Sequence, residues 1–396
     1  MTLQVGLVGF GNRALLGQLV EEHPHARVRA VCDPDPRARA KAAESYPDAL
    51  VTGDLDQLLA CGVDAVMVLS PDHTHEEVSL AALRLGIAVF CEKPLAITTR
   101  GSDRILEAAV DNGARVYVGH NMRHFPMVQT MRRLVTGGAV GDVLAVWCRH
   151  FVGHGGDFYF KDWHADRRNT TGLLLQKGAH DIDVIHWLAG APTRRVTAMG
   201  RLAVYGDGDR SGALDQRASE VAEPELWPPR GHGRLHPTID VEDVSMMLME
   251  LENGVLASYQ QCHFTPDYWR NYTVIGSEGR LENVGDTASG EVRLWNRRHA
   301  GFAEPDLVVP FAPGEGTHGG ADRELVAEFV EYALHGGATE TSPIAAREAV
   351  AAGEGATLSL RSGSLPVDIA RPAARVAAAF RAAGDDPASW RASPSS

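Results

Sequence analysis

Residues 5–14 leave the chain few choices: the apolar run Val5-Gly6-Leu7-Val8 stops at Gly9-Phe10-Gly11-Asn12-Arg13-Ala14 and passes into Leu15, Leu16, Leu19 and Val20 at helical spacing. This pattern predicts strand, tight turn, helix. The spacing is G-x-G-x-x-A: the first glycine permits the turn, the second lets the backbone approach a pyrophosphate, and the small third residue lets helix and strand pack closely. The start of the helix offers unpaired N–H groups to the phosphates. A second strand, 28–32, runs into Asp33, an acid placed to accept hydrogen bonds from ribose hydroxyls and to repel a 2′-phosphate. NAD is therefore expected over NADP. Arg37 and Arg39, close by in sequence, weaken that preference.

Apolar runs and amphipathic stretches keep alternating to about residue 122, as in a parallel sheet covered by helices on both faces. Residues 63–69, 87–91 and 116–119 read as strands, and 76–85 and 102–112 as helices. Ligands of such sheets collect at the carboxyl ends of the strands. Three polar clusters fall there: Ser70-Pro71-Asp72-His73-Thr74-His75, Glu92-Lys93-Pro94, and His120-Asn121-Met122-Arg123. Pro94 reads as a fixed bend, with a cis peptide as one option.

Past residue 122 the pattern changes. Strand-like alternation dominates (143–152, 195–204, 244–251, 255–263, 272–275), and one long helix is expected at 173–188. This predicts a second, α+β domain with a mostly antiparallel sheet. A Gly-, Pro- and Arg-rich stretch, 206–237, containing Trp227-Pro228-Pro229, is expected as a surface insertion on a pocket rim. Residues 322–334 place Leu325, Val326, Phe329, Val330 and Ala333 on one helical face. The expected domains are 1–122, 123–370 and a flexible tail, 371–396.

At 396 residues two cores are affordable, and the formal charge of −13 argues against nucleic acid or an anionic membrane as the main partner. Five scattered cysteines without a C-x-x-C pair, and no apolar run long enough to span a bilayer, suggest a reduced, cytoplasmic protein.

Two stretches carry candidate chemistry. Lys93, at the end of a buried strand and near a bound nicotinamide, would be partly desolvated, which lowers its pKa and makes it a usable acid or base. In 176–188, Gln176, His180 and Asp183 stand at i, i+4 and i+7, so a helix places the imidazole between an amide and a carboxylate. The histidines lack the spacing of known zinc motifs, so no metal is expected. Residues 154–164, with Asp157, Tyr159, Trp163 and His164, and residues 261–270, with His263, Tyr268, Trp269 and Arg270, suit a carbohydrate subsite that combines ring stacking with polar contacts.

Together these motifs, with Gly178-Ala179-His180-Asp181-Ile182-Asp183 and Gly276-Ser277-Glu278-Gly279, resemble the Gfo/Idh/MocA oxidoreductases from the first strand to about residue 370. The resemblance implies a Rossmann domain followed by a domain with a large open sheet through which homodimers or homotetramers form. It implies NAD(P) chemistry on sugars, polyols or glycosides. By that resemblance Lys93 lies beside the nicotinamide and the reacting hydroxyl, His180 acts as or assists the catalytic acid/base, and Asn121 and Arg123 lie at the cofactor and substrate edge. The expected cofactor contacts are thus Gly9, Phe10, Gly11, Asn12, Arg13, Asp33, Ser70, Pro71, His73, His75, Glu92, Lys93 and Asn121. The expected substrate contacts are Lys93, Arg123, Tyr159, Trp163, His164, Gln176, Lys177, His180 and His263. Many sugar-oxidising members carry Asp four residues before the catalytic His; here Gln176 cannot take a proton, which shifts that work to His180 and Lys93 and adds Lys177 as a catalytic candidate or a charge for an anionic group. An NAD-dependent dehydrogenase is expected, with an oxidoreductive glycosidase acting on an anionic glycoside as the alternative.

Overall fold

The computed structural model describes residues 2–212, 232–287 and 289–382. The N-terminal alternation builds six strands: β1 (Leu3–Val8), β2 (Ala26–Cys32), β3 (Leu50–Thr52), β4 (Ala65–Val68), β5 (Ala88–Cys91) and β6 (Val116–Val118). They form one sheet in the order β3-β2-β1-β4-β5-β6, and every pairing is parallel. The order reverses beside β1, so the switch point lies where β1 meets its glycine turn. Strands β4, β5 and β6 are buried throughout, which explains their continuous apolar runs.

This unit is not one continuous stretch. It gathers the described parts of residues 1–124, 320–347 and 372–386, beside the expected boundaries at 122 and 370. The cause is the apolar face of the helix Ala321–His335, whose Leu325, Val326, Phe329 and Val330 join Val5, Leu7, Leu16 and Val20 in a single core cluster. Ala374–Ala382 is a helix with Val376 and Phe380 buried, and Arg375 Nη1 lies 2.5 Å from Asp111. The rest of the expected tail lies outside the described residues.

The second unit holds the described parts of residues 125–319 and 348–371. Its strands are β7 (Val143–Phe151), β8 (Thr193–Arg201), β9 (Val244–Leu251), β10 (Leu256–Cys262), β11 (Trp269–Gly276), β12 (Arg280–Val284), β13 (Gly290–Trp295), β14 (Leu307–Phe311) and β15 (Val367–Asp368). They form a nine-stranded sheet in the order β14-β13-β12-β11-β7-β10-β9-β8-β15, antiparallel except where β10 pairs with β7. One face carries Val146, Cys148 and His150 of β7, Tyr259 and Gln261 of β10, and Arg270 and Tyr272 of β11, all buried. The helix Gly178–Ala189 packs on β7 and β10. On alternate positions Trp147, Met199, Met246 and Leu248 are exposed, with Met199 paired to Met246.

The helix expected at 173–188 is divided at Lys177 into Leu173–Gln176 and Gly178–Ala189. The ends of the 206–237 insertion are fastened down: Gly212 N donates to Leu235 O at 3.0 Å, and Tyr205, Leu235 and Ile239 share a core with Phe160 and Leu173. Trp227-Pro228-Pro229 lie outside the described residues. No helix among the described residues is long and apolar enough to cross a membrane.

Candidate active site

The glycine turn has the geometry that nucleotide binding needs. Gly9 has φ +93°, and a Cβ there would lie 2.7 Å from Ser70 N and clash with the backbone of the next strand's end. Gly11 and Asn12 are exposed. The close helix–strand approach expected at Ala14 falls instead at Gly17, where a Cβ would lie 2.6 Å from Leu7 Cδ1 and 2.5 Å from the Tyr46 hydroxyl oxygen. The turn and its acid are joined directly, since Phe10 N donates to Asp33 Oδ2 at 2.8 Å and Asp35 N donates to Oδ1 at 2.8 Å. Each carboxylate oxygen keeps a lone pair for a ribose hydroxyl.

The two arginines that weakened the NAD preference are committed elsewhere. Arg37 pairs with Asp35 at 3.2 Å, and Arg39 Nη1 donates to the Asp33 and Pro34 carbonyls at 2.9 and 2.8 Å. Replacing Asp33 with alanine is therefore expected to weaken NAD binding about tenfold or more, the loss of a charged acceptor. It should also narrow the NAD:NADP affinity ratio, measured by nucleotide titration of the protein's fluorescence.

Several of the expected cofactor contacts are tied to one another and to the helix Ala321–His335 by side-chain bonds. Arg13 Nε lies 2.6 Å from Glu92 Oε1, and its two terminal nitrogens reach Asp322 at 3.1 and 3.0 Å. These two carboxylates keep it cationic against the cost of burial. Asn121 Nδ2 donates to the same Asp322 at 3.0 Å. Glu92 Oε2 accepts from Lys93 N at 3.0 Å, so the glycine turn, the β5 end and the helix Ala321–His335 are fastened through Glu92 and Asp322. Arg123, expected at the substrate edge, is 1% exposed and donates to the Glu340 carbonyl at 2.7 Å.

His75 is likewise a tie. Its ring is 1% exposed, with Nδ1 2.7 Å from the Pro94 carbonyl and Nε2 2.9 Å from the Ser70 carbonyl. Both nitrogens face acceptors, which only an imidazolium satisfies. Burial opposes the charge, but Cys91, Asp72 and the Pro94 carbonyl outweigh it and push the pKa up to about 10. His73 is exposed, Ser70 and Pro71 are half-buried, and Ser70 Oγ lies 2.6 Å from Thr74 Oγ1. Lys93 is half-buried at the carboxyl end of β5, before a cis bond to Pro94.

In the second unit the expected subsite residues do come together. The Tyr159 ring lies edge-on to His164 and to His263, both at 5.1 Å between centroids, and Lys177 Nζ sits 5.5 Å from the same ring. Trp163 stacks on His164 at 3.7 Å, and His164 Nδ1 bonds Asp162. Gln176 and Asp183 are buried and His180 is half-buried on the divided helix.

Beneath them is a buried polar network that sequence reading did not assemble. Asp181 is fully buried. Its Oδ1 accepts from Tyr272 Oη at 2.5 Å and faces Arg270 Nε at 3.1 Å, while Oδ2 lies 3.0 Å from His150 Nδ1. Against the cost of burial, Arg270 and His150 hold the Asp181 carboxyl well below the usual carboxylate range. Burial and Arg270 push His150 down to about 3, so it is neutral. Arg270 Nη1 also faces Asp286 at 3.6 Å, and Tyr268 Oη donates to Asp286 at 2.9 Å. Tyr259 Oη donates to Gln261 Oε1 at 3.1 Å, and Gln261 Nε2 to Ser245 Oγ at 2.9 Å. The available signal was alternation: His150, Gln261 and Arg270 occupy inward positions where Val146, Ala257 and Val274 show an apolar rule.

A parallel sheet whose first strand ends in a glycine turn, followed by an acid at the end of the second strand, is the arrangement of a Rossmann dinucleotide fold, and the comparisons name the family. The model for the oxidoreductase family with an NAD-binding Rossmann fold matches residues 3–120, and the GFO/IDH/MocA C-terminal domain matches residues 128–282. The chain belongs to the Gfo/Idh/MocA oxidoreductases. Among its relatives, inositol 2-dehydrogenase 1 of Saccharopolyspora erythraea is 34% identical over 235 residues, 57% of this chain and 63% of that protein. Inositol 2-dehydrogenase 2 of the same organism is 31% identical over 275 residues, 66% of each. Those alignments stop just short of two thirds of the relatives' length. A levoglucosan dehydrogenase solved with NADH and levoglucosan shares the fold with a TM-score of 0.75 at 19% identity, over 94% of this chain and all of that one.

Proposed function

We propose that the chain oxidises a secondary hydroxyl of a sugar, polyol or sugar derivative, with NAD as the acceptor. The observation that carries this reading is a half-buried lysine, Lys93, closing strand β5 of a sheet whose first turn is built for a dinucleotide. The names of the relatives, inositol 2-dehydrogenases, support the substrate class. Gly9, Gly11, the N-terminus of the helix Leu15–Glu22 and Asp33 would hold NAD, which supplies hydride acceptance when bound. Lys93 and His180 take the hydroxyl proton. A partly desolvated ammonium gives up its proton more easily, and an imidazole works as a base near neutral pH. Gln176 contributes an amide that orients and does not titrate.

The apolar residues exposed on the open sheet, Trp147, Met199, Met246, Leu248 and Leu256, support homodimer or homotetramer formation through that face. All five cysteines are free, which suits a cytoplasmic enzyme.

The test is absorbance in the near-ultraviolet NADH band with NAD and a panel of inositols, free sugars, polyols and aryl glycosides, with aglycone release followed in parallel. NADH accumulating with a free sugar or polyol is the expected result. Aglycone release that needs NAD but leaves no NADH would replace this reading with a redox-neutral glycosidase, and neither signal with any member of the panel would overturn it.

A further inference from the structure

Among the described residues, Lys177 is a cationic side chain of the second unit's polar cluster with no carboxylate within ion-pair distance. The acid nearest in the chain, Asp181, is engaged by Arg270, His150 and Tyr272, and Arg270 is further matched by Asp286. Lys177 has no carboxylate within ion-pair distance among the described residues, only the Tyr159 ring. A half-buried ammonium facing a π-cloud alone is poorly compensated for its lost hydration. His263, edge-on to the same ring at 5.1 Å, is fully buried, with neither ring nitrogen hydrogen-bonded among the described residues. Buried polar atoms are nearly always partnered, so an unpartnered imidazole in a cluster of aromatic and cationic groups points to a ligand that completes it.

We propose that the substrate carries a carboxylate, that Lys177 receives it, and that His263 bonds a neighbouring substrate hydroxyl. The proposal rests on the reading of this chain as a polyol or sugar dehydrogenase and names the subclass: sugar acids and polyhydroxy acids. A single ammonium beside a neutral imidazole suits a monoanion, whereas a phosphate dianion calls for more charge than Lys177 alone provides. Against a chain with net charge −13, a local cation is also what an anionic substrate needs in order to bind.

The charge on Lys177 is conditional. Burial and Arg270 push its pKa down to about 8, and Asp181 and Asp286 only partly oppose them. The groups around it are Arg270 on β11, His150 on β7, Asp181 and His180 on the divided helix, Asp286, His164 and His263. Of these, His150 and His263 are held neutral and Asp181 anionic through neutral pH. Raising the pH through 8 removes the Lys177 cation, so carboxylate affinity falls over that interval. Lys177 acting as base would instead give a rate that rises through 8 and loses that rise when Lys177 is replaced.

The experiment uses NAD-loaded protein and three matched pairs: glucose and glucuronate, galactose and galacturonate, glucitol and gluconate. Calorimetry gives the affinity of each, and NADH absorbance gives its turnover. At pH 7 the carboxylate member of at least one pair should bind about 10- to 100-fold more tightly, the range of a charge-assisted bond. The ratio should fall to near one in Lys177→Met, persist in Lys177→Arg, and decline in the unmodified protein above pH 8. Absence of a carboxylate preference in all three pairs, or a preference that survives Lys177→Met, overturns the proposal. So does a rate that rises through pH 8 with neutral and acidic members alike and loses that rise in Lys177→Met. NADH formed equally well from both members would sink the carboxylate reading and leave the dehydrogenase reading standing.

Discussion

Replacing Asp181 with alanine is expected to destabilise the protein by about 3 to 5 kcal/mol, because it leaves the charge of Arg270 buried without its main partner. Asp181 has no exposed surface and Arg270 only 5%, so water cannot take over. The same carboxylate accepts from Tyr272 and faces His150, which adds unsatisfied polar atoms to the loss. A melting curve should fall by roughly 6 to 20 °C for a unit of this size. The sign with pH follows from the depressed carboxyl: its contribution is fully present above the ordinary aspartate range and is lost as pH falls through the lower folded-state value. The deficit of Asp181→Ala relative to the parent should therefore shrink in acid. The double change Asp181→Leu with Arg270→Met removes both charges and should recover much of the loss. A double variant no better than the single one would mean that the pair is not the source of the stability.

The second large effect concerns turnover. His180→Ala and Lys93→Met are each expected to lower kcat by about 10²- to 10⁴-fold, the usual contribution of a positioned proton acceptor. NAD affinity should change little, since on the proposed reading the glycine turn and Asp33 hold the dinucleotide. Measured together, kcat and the NAD dissociation constant separate the two roles. Weakened NAD binding with unchanged kcat in His180→Ala would remove it from the chemistry. Non-additive loss in the double variant would indicate that the two groups act on one proton.

The parallel sheet was legible because its signals are local: apolar runs, a glycine turn, and polar clusters where strands end. The meeting of Tyr159, His164, Lys177 and His263 was legible as a list of residue types, although nothing in their order along the chain shows that one ring touches two imidazoles and an ammonium. The bonding partners of Arg13, His75 and Arg123 were not legible. Each is a polar residue beside a glycine turn or strand end, where a ligand contact and a structural tie have the same one-dimensional pattern. What separates them is a partner far along the chain, such as Asp322 for Arg13 or Glu340 for Arg123. The discontinuous first unit was hidden for the same reason: the stripe on 322–334 announces a helix but does not say which core receives it.

That discontinuity governs how the protein is made. Val5, Leu7, Leu16 and Val20 leave the ribosome early, and their packing partners Leu325, Val326, Phe329 and Val330 follow some 300 residues later. At about 5 to 20 residues per second, the nascent nucleotide half waits roughly 15 to 60 s for the helix that completes its core. Throughout that interval an apolar surface stands open, and Arg13 lacks the Asp322 carboxylate that later clamps it. Chaperone demand in the cell, and the poor prospects of any fragment that stops short of residue 320, follow from that long wait.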